Sequence, residues 1–163
     1  MKTIQKSGRQ KGVAVIELAF VLPLMLILAF GITELGRALY QYNSLVKATR
    51  GAVRYLAQQD LANVDNVGLI YQTTKNIAVY GNETGSGSPL VAGLSTSMVL
   101  VCDYITCKAT HQGVLTGQGT VDLVTVKIGD LENNAFNFKS MMSYVVKDFK
   151  FSPIQTTMAS RYY

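Results

Sequence analysis

Few residues of this chain have the type and spacing to do chemistry. A carboxylate, Glu17, stands among the 20 apolar positions Val13–Ile32, in the stretch KGVAVIELAFVLPLMLILAFGI. Two cysteines, Cys102 and Cys107, flank DYIT, and the single histidine, His111, follows them. Tetrahedral zinc usually takes four protein ligands, so two thiols and one imidazole make a poor metal site, and no metal is expected. In an oxidising compartment the pair would serve as a local disulfide; otherwise they are reduced core thiols. So short a loop adds about 2 kcal/mol at most by chain-closure reasoning. Asp60, Asp65, Asp103, Asp122, Asp130 and Asp148 are scattered. No nucleophile elbow, phosphate-binding loop or zinc-protease motif occurs in the sequence. The chain reads as a non-enzyme with no cofactor.

Glu17 is the residue that needs a reason. A carboxylate inside a membrane-spanning helix costs on the order of 2–3.5 kcal/mol and normally has a partner or a function. A plain anchor needs none there, and neither does a cleaved secretory signal ending near Ile32. A cut between Gly12 and Val13 supplies one. Val13 then carries a new α-amine, and Glu17 becomes the fifth residue, one helical turn on. In a helical assembly the amine of one subunit pairs with Glu17 of its neighbour, which neutralises both charges in an apolar core and sets the axial register.

That pattern resembles the processing site of type IV prepilins. The residues that follow narrow the resemblance to TadE-like minor pilins, or pseudopilins, of the tight-adherence (Tad, or Flp) system. The family's Glu-(Phe/Leu)-Ala-x-x-x-Pro run matches Glu17, Leu18, Ala19 and Pro23, and its Gly-Arg matches Gly36 and Arg37. An Ala-x-Arg-x-Gly-Ala-x-Arg-like stretch follows at residues 48–54. Val13 departs from the Phe or Met that many type IV pilins carry at this position. The resemblance covers residues 8–57 and hardly touches the C-terminal half. It implies cleavage after Gly12 by a prepilin peptidase, and a part in assembling, priming or capping an adhesion pilus. Implied partners are the peptidase, the major pilin, other minor pilins, the inner-membrane assembly platform and the membrane itself. A pseudopilin of type II secretion and a single-pass anchored extracytoplasmic binding domain are the competing readings.

The elements that position these residues begin with a long helix. Twenty apolar residues rise about 30 Å as a helix, the thickness of the bilayer hydrocarbon, and membrane helices tolerate a proline such as Pro23. Net charge is +5, but Lys2, Lys6, Arg9 and Lys11 precede the apolar run, and the other 11 basic residues face 10 acids. The basicity therefore belongs to the N-terminal segment, which argues against nucleic-acid binding and, by the positive-inside rule, leaves residues 33–163 on the periplasmic side.

Beyond Ile32 a near-heptad stripe of Leu35, Leu39, Tyr42, Val46, Thr49, Val53 and Leu56 predicts that the helix continues and lays this face on a globular domain. Lys47, Arg50 and Arg54 form a basic edge, read as a solvated face or a docking edge. Glu34 and Arg37, three apart, read as a helix-surface pair.

The expected fold class is α+β: a long N-terminal helix, membrane-spanning in its first half, packed on a small antiparallel-sheet, pilin-like domain. The expected divisions are a cytoplasmic leader 1–12, a transmembrane half 13–32, an extracytoplasmic half of the helix 33–59 and a globular domain 60–163. In that domain a second helix is predicted over 64–80, capped at Asn63, and strands over 97–105, 120–128 and 144–151. Residues 81–89 and 111–119 read as loops, and 130–143 as a loop or short helix.

Overall fold

A computed structural model describes residues 11–63, 65–117, 119–129 and 135–161. Lys2, Lys6, Arg9, Tyr162 and Tyr163 lie outside them. Helix α1 runs unbroken from Lys11 to Leu56, 46 residues, or about 69 Å at 1.5 Å per residue. It contains Pro23, whose missing N–H leaves the Ala19 carbonyl without its usual helical donor.

Helix α2, Val67–Tyr80, packs on α1. Asn66, rather than Asn63, caps it, its side chain accepting from the Leu69 amide at 3.2 Å. Gly81 ends it at φ +76°, a left-handed conformation that favours glycine, and its N–H returns to the Ile77 carbonyl. A 3₁₀ turn at Thr96–Met98 then leads into strand β1, Val99–Cys102.

The short helix α3, Lys108–His111, follows. Strands β2, Val114–Thr116, and β3, Gly119–Val121, form an antiparallel hairpin. Strand β4 spans Leu123–Ile128, β5 Asn137–Phe138, β6 Phe149–Lys150 and β7 Ile154–Ala159. The central sheet is antiparallel in the order β1-β4-β7. The protein is thus an α+β arrangement of a long apolar helix and small antiparallel sheets.

The sheet's inner face meets the second half of α1. Val124, Val126 and Ile128 of β4 are almost fully buried, as are Leu45, Ala52, Val53 and Leu56 of α1. Thr49 of α1 reaches across to β7, its hydroxyl 2.9 Å from that of Thr156. Alternation along β4 puts Thr125 on the outer face, hydrogen-bonded to Thr157 (2.7 Å) and to His111 Nε2 (2.8 Å).

Four expectations are corrected. The expected stripe is buried at Thr49, Val53 and Leu56, but it does not enter the domain through Leu35 and Leu39, which are 61% and 54% exposed; that end of the face runs through Glu34 and Ala38, both buried, one position earlier on the helix. The small side chain of Ala38 lets the domain approach closely. Residues 144–151 form a turn and a two-residue strand rather than a full strand. The segment 111–119 ends α3 and forms most of the β2–β3 hairpin instead of a loop. Strand β7 was not foreseen. Asp130 and residues 131–134 of the 130–143 expectation lie outside the described residues, and β5 occupies part of the remainder.

Candidate functional site

The first site is a position on α1. Gly12, Val13 and Glu17 lie in its first two turns, and all three are exposed. Around Glu17 the helix shows water only apolar side chains: Val13, Ile16, Leu18, Phe20 and Val21 are each about half exposed or more. Among the described residues none pairs with the Glu17 carboxylate. Such a helix face is the wrong way round for a soluble protein, since nothing among the described residues covers it. The segment is long and apolar enough to cross a membrane, and none of its apolar window is buried inside the chain.

The second site lies where the apolar half ends. Arg37 Nη2 donates to Glu34 Oε2 at 2.7 Å and to the Lys139 carbonyl at 2.5 Å. Glu34 Oε2 also accepts from the Met141 amide at 3.3 Å. The Arg37 guanidinium lies 4.5 Å above the ring of Phe138, which is fully buried. Glu34 and Arg37 therefore form more than a surface pair: together they clasp residues 138–141, over a hundred positions away, onto the helix.

The hydrogen bond from Arg37 holds the Glu34 carboxyl below the usual carboxylate range, outweighing burial, which works the other way. Phe136, Phe138, Phe149 and Phe151 pack on one another beside the clasp, with Phe138 and Phe149 centroids 5.0 Å apart, and Tyr42 of α1 joins them at Phe151. Two Phe-x-Phe pairs, 136/138 and 149/151, were the sequence signal for this cluster.

The third group lies on the outer face of the sheet. Cys102, at the end of β1, and Cys107, before α3, are disulfide-bonded with Cα atoms 5.7 Å apart. His111 Nδ1 is 3.7 Å from Cys102 Sγ. The three side chains lie within 4.8 Å of one another, but the disulfide engages both sulfurs. The intervening turn is built on Asp103, which is fully buried. Its carboxylate accepts from the amides of Ile105 (2.7 Å) and Thr106 (2.8 Å) and from the hydroxyl of Tyr71 on α2. Burial, and then Asp103, push the Tyr71 hydroxyl well above its ordinary pKa.

Leu18, Ala19 and Pro23 lie on the exposed half of α1, and Gly36 beside the clasp. A Cβ placed at Gly36 would meet nothing within 4 Å, so the fold of this chain does not itself require glycine there. Lys47, Arg50 and Arg54 are exposed on α1. Tyr40 is exposed, and Tyr55 packs partly buried against the core.

No curated protein and no solved structure matched the chain. Residues 12–54 match the family model described as TadE-like protein, a match that begins at Gly12 and ends two residues before α1 does. The helix that carries Glu17 at one end and the clasp in its middle is thus a TadE-like segment, consistent with a TadE-like pilin of the Tad system.

Proposed function

We propose that this chain is a minor pilin of a Tad pilus, cut after Gly12 by a prepilin peptidase and held in the inner membrane through residues 13–32 until it joins the pilus. Residues 33–163 face the periplasm, where Cys102 and Cys107 stay oxidised. In assembly the α-amine of Val13 on one subunit pairs with Glu17 of its neighbour. Leu18, Ala19 and Pro23 surround that contact. The subunit primes, joins or caps a pilus built mainly from smaller major pilins, and its action is structural rather than catalytic.

One observation carries this reading: a continuous helix exposes the mostly apolar residues 12–29 and then, without a break, becomes the core element of a folded domain. A carboxylate at the fifth position after Gly12 has no partner among the described residues, which fits a group whose partner arrives with another subunit.

The test is the N-terminal residue of the mature protein, read by mass spectrometry of envelope fractions from cells with and without the prepilin peptidase. A terminus at Val13 that depends on the peptidase supports the proposal. An intact Met1 would leave a plain anchor, and a start near Ile32 a released domain; either overturns it.

A further inference from the structure

We infer that residues 139–150 form a lip that seats the domain on the anionic phospholipid surface of the bilayer that α1 enters. This rests on the reading of residues 13–32 as the membrane-spanning part.

The first support is depth. The segment runs down α1 toward the apolar half. Lys139 is held at Arg37, Met141 at Glu34, and Val145 lies 3.7 Å from where a Cβ on Gly31 would be. From Arg37 to Gly31 the helix axis rises about 9 Å. Gly31 belongs to the apolar run, so the turn at residues 143–146, whose Val146 amide bonds the Met142 carbonyl at 3.0 Å, sits at the level where that run ends. Each headgroup layer is about 5–7 Å thick. A helix that leaves the hydrocarbon near Ile32 therefore places this turn among the headgroups, with no movement of the domain.

The second support is composition. Met141 and Tyr144 are 79% and 77% exposed, among the most exposed apolar side chains in the protein. Ile32 and Leu35, on the stretch of α1 that the segment runs along, are also exposed. Tyrosine is enriched at membrane interfaces because its ring is apolar and its tip polar. Lys139, Lys147 and Lys150 are exposed around them. Among the described residues the acids of the same region are Asp148, which accepts from the Ser140 amide at 2.8 Å, and Glu34, which is paired with Arg37. The lip therefore carries a net positive charge around an apolar tip, which complements anionic headgroups over hydrocarbon.

At the other end of the domain, Leu115 on the β2–β3 hairpin is 84% exposed. That hairpin leads into Asp122, whose carbonyl bonds Ser160 beside Ala57, past the end of α1. It is an exposed apolar residue at the wrong height, and so a control.

The chain contains no tryptophan, so single-tryptophan variants report position directly. The full-length variants Phe20→Trp, Tyr144→Trp and Leu115→Trp are reconstituted into phosphatidylcholine–phosphatidylglycerol vesicles with brominated acyl chains. The expected result is strong bromine quenching for Phe20→Trp. Tyr144→Trp should show intermediate quenching with a blue-shifted emission, and Leu115→Trp none, with full quenching by aqueous iodide. Vesicles of phosphatidylcholine alone, or Lys139→Glu with Lys147→Glu, should reduce the quenching of Tyr144→Trp and restore its access to iodide. Quenched Phe20→Trp with iodide-accessible, bromine-insensitive Tyr144→Trp overturns the lip and leaves the spanning helix standing. Unquenched Phe20→Trp overturns the spanning reading beneath it. Tyr144→Trp quenching that is indifferent to anionic lipid overturns the proposed headgroup recognition.

Discussion

The two halves of α1 are one helix in two solvents. From Val13 to Leu28 its large side chains, Val, Ile, Leu, Phe and Met, are exposed among the described residues. From Glu34 to Leu56 the face that matters is built from smaller residues, Ala38, Ala48, Thr49 and Ala52, with Leu45, Val53 and Leu56 between them, and all are buried. Bulk suits a surface that other molecules will cover. Small residues suit a surface where a sheet must approach the helix backbone. The change occurs at Glu34 and Arg37, where the folded domain first takes hold of the helix. The lesson is that continuous secondary structure does not imply continuous function: the first half is left uncovered by the described residues, whereas the second half is core.

The sharpest way to break this comparison is at Glu17. Changing it to Ala should nearly abolish the subunit's presence in sheared pili, while cleavage and the unfolding of the domain stay unchanged; normal incorporation would remove the pairing mechanism. Next is one chemical change made in both halves. Leu45→Ala empties a fully buried position and should cost about 2–5 kcal/mol. Leu24→Ala, at a position 60% exposed, should change domain stability by less than about 0.5 kcal/mol. Urea unfolding of the full chain in detergent micelles measures both, and similar losses would mean that the halves are not energetically distinct.

A smaller effect is expected from replacing Cys102 and Cys107 together by Ser. Their sequence separation of 5 closes a short loop, so the loss should be about 2 kcal/mol at most, in the same unfolding experiment. The smallest effect concerns pH at the boundary between the halves. Glu34 is held below its ordinary pKa, so its contribution is present above the unfolded value, about 4.3. It is lost as pH falls through the lower folded value. Amide exchange at Met141 should therefore quicken on acidification below about pH 4, and Glu34→Gln should remove that acid dependence.

The apolar half was legible in the sequence because hydropathy and length alone specify it, and Glu17 stood out because it breaks the pattern. The continuation of the helix was legible too, and so was its buried face at Thr49, Val53 and Leu56, but not where that face begins. A 3-4 spacing drawn through the largest side chains selects Leu35 and Leu39. The structure selects Glu34 and Ala38, because burial there depends on partners more than a hundred residues away. Strand β7 escaped for a related reason. Ile154, Thr156 and Met158 do alternate inward, but Gln155 and two threonines hide the signal, and the Thr156 hydroxyl finds its partner in Thr49, more than a hundred residues away. In 144–151 the alternation is real, yet the aromatic rings draw it into a strap over α1 rather than into the central sheet.

Strand β7 has a further consequence. It pairs with β4 along six residues and then returns to α1, where the Arg161 amide bonds the Ala57 carbonyl at 2.9 Å. The opening helix thus finds part of its core only when the last strand arrives. During synthesis, or in a shortened product, β4 would offer an unpaired edge, which is a template for aggregation and an invitation to proteases. Docking of β7 thereby covers that edge and completes the core around α1 in one step.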